Sequence, residues 1–265
     1  MKNKKWFFVG ALALVFIGGL IWFDASGGFD DRSEEIVDLP EETPSVVSNN
    51  DISVFTPGAN DPVASPLIVK GVAQAFEGTV QIAIRNATGT VVGSSFATAQ
   101  QSDLGIPGPF LRTVEFDASP GDNLTLEVYE ESAQSGLPIN MVKVPLVVAQ
   151  EQLPLLVFFA PKEGHCIKVQ EFERSVPHTL GVGTSALELL FAGPTQMERE
   201  QGAYTAMPFG VKVEQLNIVG GIAQVKLSEE YEKIEGSCAK RLAARQVLKK
   251  LLEFETVSDV NIESN

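Results

Sequence analysis

A run of eighteen uncharged residues, Trp6–Phe23, constrains this chain more than any other feature. At 1.5 Å per residue, a helix of this length measures about 27 Å, close to the thickness of a hydrocarbon core. Three lysines precede the run and Asp24 follows it, which places the lysines on the inner side. The run therefore predicts a single-pass transmembrane signal-anchor over residues 1–24. The rest of the chain is then extracytoplasmic, at the outer side of the cell membrane.

A cleaved signal peptide is the alternative interpretation of the same run. Cleavage requires small residues before the cut, and the nearest candidate, Phe23-Asp24-Ala25, has a bulky ring at a position that needs a small side chain. A lipoprotein is disfavoured because no cysteine lies near the run. The residues favour a retained anchor and leave cleavage open.

The segment that follows is acidic and shows no sustained periodicity. Between Asp24 and Asp61 there are ten acidic residues and one basic residue, Arg32, together with several prolines. Such a composition predicts a solvated, self-repelling tether over residues 25–63. The formal charge of the whole chain, −14, argues against nucleic acid as a partner.

The chain has two cysteines, Cys166 and Cys238. In an oxidising compartment this number predicts one disulfide, and two separate buried thiols are the alternative. Two cysteines with the single neighbouring His165 do not make a four-ligand metal set, so we expect no metal site and no cofactor.

Residues 64–150 alternate short apolar stretches with turn residues. Val80, Ile82 and Ile84 are spaced by two, as in a strand with one buried face. We expect further strands at 67–76, 90–98, 110–117, 124–130 and 141–148. Six or seven strands at this spacing predict an all-β sandwich.

This region resembles the immunoglobulin-like domain of bacterial spore-germination proteins. The resemblance rests on Ser65-Pro66-Leu67-Ile68-Val69-Lys70-Gly71-Val72-Ala73, Phe76-Glu77-Gly78-Thr79-Val80, Gly108-Pro109-Phe110, Leu126-Glu127-Val128-Tyr129-Glu130 and Val144-Pro145-Leu146. It implies a binding or spacing module and not an enzyme.

Residues 151–265 show a mixed pattern of helix and strand. Leu155–Ala160 reads as a buried strand, and a second strand is expected over Cys166–Val176. A hairpin is expected at Val211–Val219 and Ile222–Leu227, and a closing strand at Val257–Ile262. The predicted fold class is thus a two-domain chain, a β-sandwich followed by an α+β domain.

Three helices are expected in this second domain. One spans Thr184–Ala192 with a capping box from Ser185 to Glu188, and Gly193 and Pro194 end it. A short second helix begins with another capping box, from Thr195 to Glu198. Ser237 is expected to cap a long third helix that reaches Phe254. Its predicted buried stripe is Ala244, Leu248, Leu251 and Leu252, and its basic residues Lys240, Arg241, Arg245, Lys249 and Lys250 lie largely off that stripe.

The second domain resembles the GerMN domain, found in the sporulation and germination protein GerM and its relatives. The matching residues are Ala186-Leu187-Glu188-Leu189-Leu190, Ala192-Gly193-Pro194-Thr195, Glu198, Gly202, Thr205-Ala206, Gly221-Ile222-Ala223-Gln224-Val225 and Leu227-Ser228. Lys226 stands where the pattern usually has an acid. The resemblance implies an extracytoplasmic module linked to envelope and peptidoglycan processes. It supplies no catalytic residues.

The residues favour binding over catalysis. No Gly-x-Ser-x-Gly and no His-x-x-x-His spacing occurs. We therefore expect a non-enzymatic envelope protein that binds partner proteins or peptidoglycan. One alternative is a wall-acting hydrolase that uses Glu171, Glu173 and His178, or Cys166 beside His165. Another is a ligand carrier with a pocket between the domains.

Overall fold

The structure is a computed structural model, and it describes residues 46–103 and 105–264. The predicted anchor, Trp6–Phe23, and most of the predicted tether lie outside these residues. In the described ranges, the longest helix has fifteen residues and none has the length and apolar character that a bilayer crossing requires. The described residues belong to one compact unit.

The first part of this unit is a sandwich of two sheets. One sheet has the strand order β1-β2-β4-β7 and the other has the order β3-β9-β8-β5-β6. Neighbouring strands are antiparallel except β3 and β9, which are parallel. The strands are β1 (Val47–Ser48), β2 (Ile52–Thr56), β3 (Pro62–Val63), β4 (Leu67–Ala73), β5 (Thr79–Asn86), β6 (Val91–Thr98), β7 (Gly108–Val114), β8 (Asn123–Glu131) and β9 (Pro138–Val148).

The alternation of the strands builds the core between the two sheets. In β5, Val80, Ile82 and Ile84 are at most 1% exposed and pack against residues of the opposite sheet such as Val69 and Phe110. The intervening residues of β5 point to the outer face. The apolar spacing therefore predicts both the strands and the face that each one buries.

The tether expected over residues 25–63 extends too far toward the C-terminus. Residues 47–63 contain three strands, and Ile52 and Val54 lie in the sandwich core with no more than 1% exposure. These strands are two to five residues long and are surrounded by prolines, so their alternation is too short to detect. Strand β1 pairs with β2, β2 pairs with β4, and β3 pairs with β9, which lies far away in sequence.

The second part of the unit has two smaller sheets and three helices. Its elements are β10 (Gln152–Phe159), β11 (Gln170–Pro177), α1 (Val182–Phe191), α2 (Gln196–Glu200), β12 (Val213–Val219), β13 (Ile222–Leu227), α3 (Ser237–Leu251) and β14 (Asp259–Ser264). Strands β10 and β11 form an antiparallel pair. Strand β13 pairs with β12 in a hairpin and with β14 in parallel, across the connection that contains α3.

Several predicted boundaries in this part are wrong, including the end of the third helix, at Leu251 and not Phe254, and the start of the last strand, at Asp259 and not Val257. Strand β11 begins at Gln170 and not at Cys166, because the preceding residues form a loop. Helix α1 begins at Val182, so Ser185 lies inside it, where its backbone N–H bonds to the Gly181 carbonyl, and no capping box forms there. Helix α3 is preceded by Gly236 at φ 82°, and Ser237 is its first residue and not its cap.

The buried face of α3 is also rotated from the predicted stripe. Leu251 is buried, but Leu252 is 39% exposed and lies past the end of the helix. The residues that are buried are Leu242, Ala243, Gln246, Val247, Lys250 and Leu251. The apolar pattern misses this face because two of its positions hold polar side chains, Gln246 and Lys250, both 0% exposed.

These polar side chains bond to the backbone at the outer edge of β10. The Gln246 side-chain amide donates to the Phe158 carbonyl at 2.7 Å, and the Lys250 ammonium donates to the Leu156 carbonyl at 2.7 Å. The Leu156 N–H donates to the Glu253 carboxylate at 2.9 Å. Buried backbone groups need partners, so helix α3 takes the place of a neighbouring strand.

Lys250 is a buried cation with one ionic partner. Burial lowers the pKa of its ammonium, and the ion pair with Glu253 partly offsets that effect. The ammonium also lies 5.4 Å from the centre of the Phe254 ring. Lys250, predicted to lie off the buried stripe of α3, is therefore part of its buried face.

Candidate functional site

An open cleft of about 620 Å³ lies where the outer face of the sandwich meets helix α2. Strands β5, β6 and β8 form its floor, and the end of β7 and helix α2 form its side. Gln196, Met197 and Glu200 contribute from α2, so both parts of the chain line the cleft. Its volume is within the range of about 300–1,000 Å³ that is typical of ligand sites.

Strand register determines which side chains meet on the floor. Gln81 of β5 lies directly opposite Phe96 of β6 on one side and Tyr129 of β8 on the other. Because adjacent strands are about 4.8 Å apart, the backbones of the two aromatic residues are about 10 Å apart. The next outward position of β5 is Ala83, which is small and 4% exposed. The floor therefore has two aromatic residues that flank an amide, beside a depression.

A charged group borders the floor on β8. Glu127 is 4% exposed and accepts hydrogen bonds from Arg85 at 2.7 Å and from Lys143 at 2.9 Å. Burial raises the pKa of this carboxyl, but the hydrogen bonds and charges of the two cations outweigh burial and hold the pKa below its usual value. Glu127 therefore stays ionised and orients Arg85, which lines the cleft.

Arg112 of β7 supports the Phe96 ring from one side. Its guanidinium lies 5.3 Å from the ring centre, and its Nε donates to the Ser95 hydroxyl at 2.8 Å. Burial, together with the nearby charge of Arg199, lowers the pKa of Arg112 to about 10. Phe96 is still 47% exposed, so much of its surface is available to a ligand.

Thr195 joins the two parts of the chain beside the cleft. Its hydroxyl accepts from the Glu198 N–H at 3.2 Å, and the Glu198 carboxylate accepts from the Thr195 N–H at 2.7 Å, which completes the predicted capping box of α2. The same hydroxyl donates to Glu115 of the sandwich at 2.6 Å. Nearby, the Thr113 hydroxyl donates to the Ala192 carbonyl at 3.2 Å.

Arg174 holds this junction from within the second part. It is 3% exposed and donates to the Leu189 carbonyl at 2.8 Å, to the Gly193 carbonyl at 2.9 Å and to the Glu198 carboxylate at 2.6 Å. Gly193 has φ 77°, a left-handed conformation that glycine adopts readily. The end of α1 and the start of α2 are thus fastened to one buried guanidinium.

Sequence reasoning missed Arg174, although a signal was present. In β11 it occupies the inward phase, two residues before the buried Val176. A charged residue at a core position of a strand implies a specific partner. Burial lowers the pKa of Arg174, and Glu198 counteracts that effect.

The structure does not assemble the residues considered for a hydrolase. Glu171, Glu173 and His178 are all exposed, and Glu171 is seven residues from His178, about 23 Å along an extended chain. Cys166 is bonded to Cys238, so it offers no thiol beside His165. Within the described ranges, no three His, Cys, Asp or Glu side chains are arranged as a metal site.

The disulfide links the loop before β11 to the first turn of α3. Its two cysteines are 72 residues apart in sequence. The crosslink therefore ties the β10–β11 pair to the helix that closes its edge.

Comparison with known proteins identifies both parts of the chain. Residues 51–137 match the family described as the immunoglobulin-like domain of bacterial spore germination, and residues 156–265 match the family described as sporulation and spore germination. No curated protein matches the chain.

Two solved structures are similar to parts of the chain. The tandem GerMN domains of the sporulation protein GerM from Bacillus subtilis are 18% identical, with 52% of this chain and 44% of that chain covered and a TM-score of 0.34. A putative lipoprotein from Clostridium perfringens is also 18% identical, with 43% and 75% covered and a TM-score of 0.28. The chain thus spans less than half the length of the GerM structure. From the two family matches, the chain carries an immunoglobulin-like domain of bacterial spore germination followed by a sporulation and spore germination domain.

Proposed function

We propose that this protein is a non-enzymatic component of the bacterial envelope that acts in sporulation or germination. Its uncharged N-terminal run holds it in the membrane, and its two domains bind partner proteins or peptidoglycan outside the membrane. The uncharged run Trp6–Phe23, with lysines before it and acid after it, supports the topology. The two family matches support the process.

The cleft between the sandwich and α2 is the observation that carries the proposal. Its floor belongs to the first domain and one side belongs to the second, and the bond from Thr195 to Glu115 connects them. Arg174 holds α2 in place by its hydrogen bond to the Glu198 carboxylate. A ligand therefore meets a surface that is already formed, which lowers the entropic cost of binding.

The arrangement of polar groups favours binding over reaction chemistry. The lining combines amides, hydroxyls and aromatic side chains, and its carboxylates are Glu115 and Glu200. Acid–base chemistry on a bound ligand needs a pair of suitably placed titratable groups. Of the two carboxylates, Glu115 accepts from Thr195 at 2.6 Å and Glu200 accepts from Gln196 at 3.1 Å, so both are already engaged within the protein.

Cross-linking in intact cells, followed by capture of the full chain through a C-terminal tag, tests this proposal. We expect the tagged chain to recover envelope proteins or wall fragments. A matched sample of the Thr195→Val, Glu115→Ala double variant, in which the junction is weakened, should recover less. Recovery of neither class of component by the wild-type chain would contradict the proposal.

Protease treatment of whole cells tests the topology separately. We expect protease added outside to cut the tether and release or degrade the two domains. Domains that stay intact until the cells are lysed would place them on the wrong side of the membrane for this function.

A further inference from the structure

We propose that the cleft binds a glycan strand, with sugar rings stacked on Phe96 and Tyr129. This inference rests on the proposed function and names the ligand class of the same site. It goes further than that function in two ways. It names two residues of the immunoglobulin-like domain as the binding residues, and it names one chemical class as their ligand.

The spacing of the two aromatic residues fits an extended glycan. They lie on the same face of the sheet, one strand to either side of Gln81, and their backbones are about 10 Å apart. That distance separates alternate sugar rings of an extended β-linked strand, and alternate rings present the same face. Each aromatic face can therefore meet one sugar ring, and Gln81 lies beneath the ring between them.

The other lining residues suit hydroxyl and amide groups. Gln81 and Ser94 on the floor and Gln196 on α2 are side chains that both donate and accept hydrogen bonds. Exposed Met197 gives an apolar contact at the side, at 55% exposure. Amphipathic sugar rings present apolar C–H faces and polar edges, which matches aromatic residues interspersed with amides and hydroxyls.

The floor does not suit an extended peptide as well. A peptide that adds to a sheet needs a strand edge with free backbone groups. Strand β5 at the centre of the floor is paired on both sides, with β6 and with β8, so it offers side chains and not backbone. Strand β6 ends the sheet, but on its outer edge the Val92 carbonyl already accepts from the Asp117 N–H at 3.1 Å. Single-stranded nucleic acid also stacks on aromatic residues, but it requires a basic groove, and this chain carries a formal charge of −14.

Calorimetric titration of the full chain in mild detergent, with a β-1,4-linked N-acetylglucosamine hexamer as the probe, tests the inference. We expect saturable binding. Phe96→Ala and Tyr129→Ala should each weaken it by about tenfold, because each change removes one of the two stacking faces. Phe96→Tyr and Tyr129→Phe keep the rings and should bind within about twofold of the wild type.

Phe76 provides the matched control, because it is an aromatic residue of the same domain, is 65% exposed and lies outside the cleft. Phe76→Ala should leave hexamer affinity unchanged. Thermal unfolding of each variant should match the wild type within a few degrees, which separates lost contact from lost folding. If Phe96→Ala and Tyr129→Ala bind the hexamer with the same affinity as the control Phe76→Ala, the assignment is overturned.

Two further outcomes distinguish this inference from the function on which it rests. If the hexamer does not bind while intact-cell cross-linking still recovers envelope proteins, the glycan assignment is wrong and the proposed function stands. If a wall-type stem peptide binds and loses affinity in the Phe96 and Tyr129 variants while the hexamer does not bind, the cleft takes a peptide and the inference fails.

Discussion

Thr195 of the second domain donates its hydroxyl hydrogen to Glu115 of the first domain, at 2.6 Å. The same oxygen accepts from the Glu198 N–H and caps helix α2. One hydroxyl therefore sets both the start of the helix and its position against strand β7. Because α2 also lines the cleft, the geometry of the candidate site depends on this contact.

Replacement of Thr195 by valine should lower the free energy of unfolding by about 1–2 kcal/mol, since the cap is lost. Glu115→Ala should cost less, because Glu115 takes no part in the cap. In a double-mutant cycle followed by chemical denaturation, we expect a coupling energy of about 0.5–3 kcal/mol. Purely additive effects would show that the interdomain bond contributes nothing.

Arg174→Met should lower the free energy of unfolding by about 3–5 kcal/mol, because it leaves Glu198 and two carbonyls without their buried donor. Arg241→Met is the matched control. Arg241 is an exposed arginine on α3, and its loss should change stability by less than about 0.5 kcal/mol. Thermal and denaturant unfolding measure the stability of both variants. An equal loss of stability in Arg174→Met and Arg241→Met would contradict the role of Arg174.

Glu127 should make the sandwich sensitive to acid. Its pKa in the folded protein is depressed, so its contribution to stability is present above the unfolded pKa of about 4.3 and is lost as pH falls through the folded pKa. Glu127→Gln removes this contribution. Wild type and variant should therefore differ in unfolding temperature at pH 7 and converge in strong acid, and a constant difference across this range would argue against the assignment.

Lys250→Met should lower the free energy of unfolding by about 2 kcal/mol, because the Leu156 carbonyl loses its donor and Glu253 loses its cation. Lys249→Met, on the neighbouring and partly exposed position, is the control and should change stability little. Hydrogen exchange at β10 gives a local readout. We expect faster exchange there in the Lys250 variant, and unchanged protection would mean that the lysine does not hold the edge.

The disulfide should leave no titratable thiol in unfolded, unreduced protein. Reduction should lower stability by about 4 kcal/mol, the chain-entropy value for a closed loop of 72 residues. Cys166→Ser with Cys238→Ser should reproduce the reduced protein without reductant. Two free thiols in the unreduced chain would be incompatible with the crosslink.

The sequence predicts best where a local pattern determines the structure. The alternation of Val80, Ile82 and Ile84 predicts β5 and its buried face, and the spacing of Thr195 and Glu198 predicts a capping box that the structure contains. Gly220 and Gly221 mark the turn of the β12–β13 hairpin. In each case neighbouring residues supply the interactions that stabilise the element.

Prediction fails where distant residues decide. Strand β3 is stabilised by pairing with β9, which lies far away in sequence, and the buried face of α3 depends on the backbone edge of β10. The candidate cleft shows the same limit. Phe96, Gln81 and Tyr129 are recognisable as outward residues of their strands, but only strand order and register place them side by side.

Helix α3 has a consequence for assembly. Gln246, Lys250 and Glu253 occupy the backbone groups of β10 that an incoming chain would need. The outer edge of β10 is therefore already occupied, and another polypeptide cannot pair with it without first displacing a buried lysine. This protects that edge of the domain against strand-to-strand aggregation.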